Sequence, residues 1–130
     1  METRRPGILI VDDEPVLLTV LGLYLRRLGY EVRTERSTES IWNDADQQAA
    51  GLAAAVLDAS MPGPDSQALA QKLLLANPSL AVIMASGYPV DMAALESANP
   101  GRVLFLQKPF TPEMLAAALR RMIGAQAQDV

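Results

Sequence analysis

The stretch AAVLDASMPG, at residues 54–63, decides the fold. Its apolar first half ends with Val56 and Leu57, the pattern of a buried strand, and its second half is rich in Pro and Gly, the pattern of a loop. Asp58 therefore lies where a strand ends and a loop begins. Ligands bind at that edge of an open α/β sheet, but an isolated Asp there is as readily a turn residue. Its interpretation depends on what ends the other strands.

Composition favours one compact domain. The chain has 130 residues and half of them are hydrophobic, enough for a core. We expect a single domain over residues 1–130, with a core at about 7–123 and a short tail at 124–130.

There is no apolar run of about 18 residues and no signal-peptide pattern, so we expect a cytoplasmic protein without membrane insertion. The net charge of −4 without a basic stripe argues against direct nucleic-acid binding.

The sequence contains no cysteine and no histidine. This excludes disulfides, thiol nucleophiles, serine–histidine mechanisms and zinc sites with histidine ligands. Any chemistry must use carboxylates, hydroxyls, lysine, arginine or the backbone.

Strand-like apolar runs alternate with segments of helical spacing. The predicted strands cover residues 8–11, 30–34, 52–57, 80–84 and 103–106. The helices that follow them begin near Pro15, Ser37 or Thr38, Asp65, Pro89 and Thr111. This alternation predicts a parallel sheet with helices on both faces. We expect a flavodoxin-like, doubly wound (βα)5 fold with strand order 2-1-3-4-5 and a cleft between strands one and three.

Two helices carry specific expectations. The second helix should run without a break to Gly51, with Ile41, Trp42, Ala45 and Ala49 on its inner side. The third, capped by Asp65, should point Leu69, Leu73 and Ala76 inward.

Four of the strands end in polar side chains that could react or bind. Asp12 and Asp13 follow the first strand, Asp58 the third, Ser86 the fourth and Lys108 the fifth. Each has an ordinary explanation alone, as a helix cap or a turn residue. Together they should meet, because the carboxyl ends of parallel strands lie at one edge of the sheet.

Three carboxylates in one cleft need cations. At about 4 Å and an effective dielectric near 20, each pair repels by roughly 4 kcal/mol. Lys108 supplies one positive charge, and a divalent ion would supply two more. Oxygen ligands favour Mg²⁺, with Mn²⁺ as the alternative. A phosphoryl group on Asp58 would then meet the ion, Lys108 and the Ser86 hydroxyl, the groups that phosphoryl transfer requires.

The sequence resembles the receiver domain of bacterial two-component response regulators, the fold of the chemotaxis proteins. The resemblance extends from about Ile8 to Ile123. It rests on VDDE at 11–14, LDASMPG at 57–63, ASGY at 85–88 and QKPF at 107–110. It implies a signalling domain rather than an enzyme, which assists its own phosphorylation and dephosphorylation. Asp58 would accept a phosphoryl group from a phosphohistidine of a sensor kinase or histidine phosphotransfer protein.

The resemblance also implies a metal site and a switch. Asp12, Asp13, Asp58 and the backbone carbonyl of Ser60 would match the Mg²⁺ ligands.

Lys108 would match the lysine that contacts the phosphoryl group, with a cis bond to Pro109. Ser86 would match the hydroxyl that moves toward the phosphoryl group, and Phe105 the aromatic residue that then turns inward. The surface around the fourth helix, fifth strand and fifth helix would change and alter binding to a downstream partner that the sequence does not identify.

Several positions depart from the common pattern or tune it. Phe105 lacks the hydroxyl of the tyrosine often found there, and Ser66 stands where receivers often have glycine. Ser60 and Tyr88 flank the phosphorylation site and are expected to tune its rates. We expect Tyr88 to shield the acyl phosphate from water.

Three other functions compete with this interpretation. A receiver-fold interaction module that works without phosphorylation is the main alternative, although the acids and Lys108 are all present. A haloacid dehalogenase-type phosphatase needs a second acid two residues after its nucleophile, where this chain has Ser60. A flavin-binding protein would place a phosphate loop after strand one, where the acids would repel phosphate.

The sequence leaves the assembly open. Seven residues follow Ile123, too few to form an output domain. We expect either a free-standing receiver or one excised from a hybrid kinase or larger regulator, and a homodimer is compatible with both.

Overall fold

The structure is a computed structural model that describes residues 5–61 and 65–124. The predicted loop residues 62–64 and the tail residues 125–130 lie outside this description. The strands are β1 (Gly7–Val11), β2 (Glu31–Glu35), β3 (Leu52–Asp58), β4 (Ala81–Ser86) and β5 (Val103–Gln107). The helices are α1 (Pro15–Arg27), α2 (Glu39–Trp42), α3 (Ala45–Ala49), α4 (Ser66–Ala76), α5 (Ala93–Ala98) and α6 (Pro112–Ile123).

The five strands form one parallel sheet in the order β2-β1-β3-β4-β5. The predicted flavodoxin-like topology is therefore confirmed. Val11 at the end of β1 pairs with Leu57 on β3, and Asp58 pairs with Ala85 on β4. This register brings the residues that follow β1 and those that end β3 to the same level of the sheet edge.

The core lies in two layers, one on each face of the sheet. Side chains alternate along β1, so Leu9 and Val11 belong to one layer and Ile8 and Ile10 to the other. The first layer is completed by helices α2 to α5 and the second by α1 and α6. Within the described ranges, no helix has both the length and the apolar character needed to cross a membrane.

Two helices begin at the predicted caps. A carboxylate oxygen of Asp65 accepts a hydrogen bond from the N–H of Gln67 at 2.9 Å. The hydroxyl of Thr111 accepts one from the N–H of Met114 at 3.1 Å, and Pro112 is the first residue of α6. Each cap satisfies a backbone donor that the helix itself leaves unpaired, so the starts of α4 and α6 are fixed locally.

The single helix predicted between β2 and β3 is wrong. The segment forms two short helices, α2 and α3, separated by a turn at Asn43 and Asp44. Short polar side chains such as these compete with the helix for backbone hydrogen bonds. The inner face is nevertheless retained, because Ile41 and Ala45 are buried and Trp42 is half-buried, as predicted.

The inner face of α4 is shorter than predicted. Leu69 and Leu73 are fully buried, as expected. Ala76 is exposed, so its prediction as an inward residue is wrong. It is the last residue of α4, and its neighbour Leu75 is also exposed. The final turn of the helix therefore extends past the edge of the core, where spacing alone no longer determines burial.

Candidate functional site

Three carboxylates meet at the carboxyl edge of the sheet. Each of Asp12, Asp13 and Asp58 offers an oxygen that lies within 4.8 Å of those of the other two. Asp12 and Asp58 are each 4% exposed, whereas Asp13 is open to solvent. The cluster is therefore buried on the protein side and accessible from the side of Asp13.

Lys108 connects two of these carboxylates. Its Nζ donates hydrogen bonds to Oδ2 of Asp12 at 2.8 Å and to Oδ2 of Asp58 at 3.2 Å. Oε1 of Glu14, on an exposed side chain, lies 3.8 Å from the same nitrogen. The peptide bond between Lys108 and Pro109 is cis.

The acidic surroundings keep Lys108 charged. Burial lowers the pKa of its ammonium group, but the hydrogen bonds and negative charges of Asp12 and Asp58 outweigh burial and raise that pKa above its ordinary value. A permanent positive charge thus lies beside the two buried carboxylates and offsets part of their mutual repulsion.

The two carboxylate oxygens of Asp58 have different partners. Oδ1 accepts hydrogen bonds from the hydroxyl of Ser60 at 2.7 Å and from its backbone N–H at 2.9 Å. Oδ2 accepts the hydrogen bond from Lys108. The side chain is therefore held in one orientation between a neutral donor and a cationic one.

The main chain of Asp58 contacts Ser66, a residue for which the sequence patterns predicted no role. Ser66 is the first residue of α4 and is 3% exposed. Its hydroxyl donates a hydrogen bond to the backbone carbonyl of Asp58 at 2.7 Å. A sequence signal exists, because Ser66 is a short polar residue directly after the Asp65 cap.

Ser86 is buried at the end of β4, with 2% exposure. Its hydroxyl accepts a hydrogen bond from the backbone N–H of Tyr88 at 3.1 Å. Its carbonyl accepts one from the N–H of Lys108 at 2.8 Å. The hydroxyl of Ser86 is thus bonded to the loop that follows β4, whereas its backbone carbonyl links the end of β4 to the residue after β5. The side chain of Tyr88 is 73% exposed.

Phe105 lies at the middle of β5 and pairs with Met84 on β4. Its ring is partly buried and packs against the core layer that contains Met92, with Val90 also at the edge of that layer. The residues between β4 and α5 therefore contact both Ser86 and the layer against which Phe105 packs.

The profile of one protein family, the response regulator receiver domain, matches residues 8–120. Two curated relatives are similar over almost the whole chain. The DNA-binding transcriptional regulator NtrC of Bradyrhizobium sp. (strain RP501 Parasponia) is 29% identical over 95% of this chain and 25% of its own length. The response regulator protein TmoT of Ectopseudomonas mendocina is 30% identical over 99% of this chain and 58% of its own length. The chain therefore spans a quarter to somewhat over half of these relatives.

Solved structures show the same fold. A CheY-like receiver domain protein from Methanospirillum hungatei JF-1 superposes with a TM-score of 0.80 at 24% identity, covering 98% of this chain and 100% of that one. The receiver domain of the hybrid histidine kinase CckA gives 0.74 at 28% identity, over 90% of this chain and 98% of that one. Together with the profile match and the acidic cluster at the sheet edge, these similarities show that the chain belongs to the response regulator receiver domain family.

Proposed function

We propose that Asp58 is the phosphoacceptor of a two-component phosphorelay and takes its phosphoryl group from a phosphohistidine of a sensor kinase or phosphotransfer protein. One observation carries the proposal. The Asp58 carboxylate lies in a cleft with two further acids and 3.2 Å from a lysine ammonium. Such a cluster can hold a divalent cation that, together with the lysine, neutralises phosphoryl oxygens. It has little use as a structural element, because like charges there repel.

The acids fit a divalent cation. Asp12, Asp13 and Asp58 offer oxygens within 4.8 Å of one another, and the backbone carbonyl of Ser60 would complete the protein ligands. An all-oxygen donor set suits Mg²⁺ and also Mn²⁺. When bound, the ion would neutralise charge on the phosphoryl oxygens during transfer.

The transfer itself is an exchange of one bond for another. A carboxylate oxygen of Asp58 attacks phosphorus, and an O–P bond forms as the N–P bond of the phosphohistidine breaks. The leaving imidazole nitrogen keeps the bonding electron pair and takes up a proton from water. Lys108, held in its charged form by the neighbouring carboxylates, pairs with a phosphoryl oxygen. Positioning and charge neutralisation of this kind supply most of the catalysis in phosphoryl transfer.

The hydroxyl of Ser86 would couple the reaction to the rest of the domain. It accepts a hydrogen bond from Tyr88 in this structure, and it would exchange that contact for a bond to the phosphoryl group. Phe105 would then turn inward, and the surface formed by α5, β5 and α6 would change its affinity for a downstream partner or a second copy of the chain. A short α5 of six residues would favour such a rearrangement.

Incubation with Mg²⁺ and acetyl phosphate, followed by intact mass measurement, tests the proposal. We expect the protein to gain one phosphoryl group, and Asp58→Ala to gain none. Asp46→Ala, which removes an exposed carboxylate of α3, is the matched control and should react like the unmodified protein. If no phosphodonor adds mass, the proposal is overturned in favour of an interaction module that works without phosphorylation.

A further inference from the structure

The hydroxyl of Ser66 contacts the main chain of the proposed phosphoacceptor. The Oγ of Ser66 lies 2.7 Å from the carbonyl oxygen of Asp58, and both residues are buried. Ser66 follows the Asp65 cap and opens a helix of eleven residues, so its own position is fixed by α4. The hydrogen bond thus joins the start of one regular element to the last residue of another.

This contact completes the support of the Asp58 backbone. On the side of β4, the N–H of Ala59 donates to the carbonyl of Ala85 at 2.8 Å, which anchors the residue after Asp58 to the sheet. On the side of α4, Ser66 holds the Asp58 carbonyl. A phosphoryl acceptor must keep its oxygen in line with phosphorus, and small displacements slow such reactions strongly.

We propose that Ser66 is a positioning residue for phosphoryl transfer, whose hydroxyl fixes the main chain of Asp58 and thereby the direction of its carboxylate. The inference rests on the proposed function of Asp58. It goes beyond that function because it assigns a role to a side chain that contacts only the main chain of Asp58 and none of the three carboxylates. If Ser66 only attached α4 to the sheet, its loss would change stability and leave the transfer step intact.

Kinetics with a small phosphodonor separate the two roles. The rate of phosphorylation is measured against acetyl phosphate concentration for the unmodified chain, Ser66→Ala and Ser66→Thr. For Ser66→Ala we expect the maximal rate constant to fall roughly tenfold, with little change in the half-saturating donor concentration, because donor binding does not use Ser66. Ser66→Thr keeps the hydroxyl and should recover most of the rate. Ser66→Gly replaces Ser66→Ala if the alanine variant does not fold.

Two controls guard against a purely structural effect. Leu119→Val trims a fully buried leucine of α6 in the opposite core layer and should lower stability without slowing phosphorylation. The ¹³C chemical shift of the Asp58 carbonyl should move in Ser66→Ala and return toward its original value in Ser66→Thr, which reports on the hydrogen bond itself.

The possible failures are distinct. If the unmodified chain gains no phosphoryl group, the proposed function fails and this inference fails with it. The positioning role alone is overturned if the unmodified chain is phosphorylated and Ser66→Ala reacts at the same maximal rate. It is also overturned if Ser66→Thr reacts no faster than Ser66→Ala.

Discussion

The hydroxyl of Ser60 lies 2.7 Å from Oδ1 of Asp58 and donates a hydrogen bond to it. This bond stabilises the carboxylate while it carries a full negative charge. During phosphoryl transfer the carboxylate loses part of that charge, so the bond should weaken as the reaction proceeds. We therefore expect the hydroxyl of Ser60 to restrain the reactivity of Asp58 before transfer, while the backbone N–H of the same residue also holds the Asp58 carboxylate.

We expect Ser60→Ala to accelerate phosphorylation by acetyl phosphate roughly fivefold, since a loss of about 1 kcal/mol of selective stabilisation of the unreacted carboxylate corresponds to that factor. The measurement is the rate of mass gain at fixed donor concentration. Ser79→Ala, which changes an exposed serine after α4, is the control. A slower reaction in Ser60→Ala would show that the hydroxyl assists transfer instead.

We expect Tyr88→Ala to shorten the half-life of the phosphorylated protein about threefold, because we propose that the aromatic ring screens the acyl phosphate and that its removal would open the site to water. The ring is 73% exposed, so its removal should leave stability almost unchanged. The decay of phosphoprotein is followed after removal of the donor. Tyr88→Phe should keep the original half-life, and an unchanged half-life in Tyr88→Ala would contradict the shielding role.

We expect Lys108→Met to lower the free energy of unfolding by about 2 kcal/mol in the absence of divalent ions, because the carboxylates of Asp12 and Asp58 lose their cationic partner. Added Mg²⁺ should then raise the melting temperature of Lys108→Met more than that of the unmodified protein. Lys72→Met, which alters a lysine that contacts Trp42, should respond to Mg²⁺ like the unmodified protein. Equal responses of both variants would contradict a metal site at these acids.

The buried ring of Tyr30 gives a prediction for alkaline pH. The residue is 2% exposed, and its hydroxyl has no hydrogen-bond partner among the described residues. Burial raises the pKa of the phenol, partly offset by the positive charge of Arg120. Because the pKa is higher in the folded state, ionisation of Tyr30 leaves the free energy of unfolding unchanged below the ordinary value of 10.0 and lowers it as pH rises from there through the folded-state pKa.

We therefore expect Tyr30→Phe to retain its stability at neutral pH, or to gain up to about 1 kcal/mol, since an unpaired buried hydroxyl is removed. Above pH 10 it should lose less stability than the unmodified protein. Chemical denaturation at several pH values measures both effects. Tyr24→Phe, at a half-buried position on α1, is the control. A clear loss of stability in Tyr30→Phe at neutral pH would show that the hydroxyl has a partner.

Most of the fold could be predicted because its determinants are local. The apolar runs define the strands, and the Asp65 and Thr111 caps define two helix starts. The convergence of Asp12, Asp13 and Asp58 follows from topology, since strands β1 and β3 are parallel neighbours. Lys108 follows from the same reasoning, because the end of β5 lies at the same edge.

The remaining features depend on tertiary geometry. The break between α2 and α3 at Asn43 reflects a competition between side-chain and helical hydrogen bonds. The spacing of apolar residues carries no information about this competition. The bond from Ser66 to Asp58 requires α4 to approach the end of β3 closely, and no local pattern encodes that distance. The direction of the Ser86 hydroxyl is a rotamer choice determined by the backbone of the loop after β4.

The intrinsic fluorescence of Trp42 can report on structural changes in the domain. It is the single tryptophan of the chain, and the ammonium of Lys72 on α4 lies 4.2 Å from the centre of its ring. A cation at that distance influences indole fluorescence, and α4 begins at the residue bonded to Asp58. Any displacement of α4 that follows phosphorylation should therefore change the emission of one identified fluorophore, without a label and in real time.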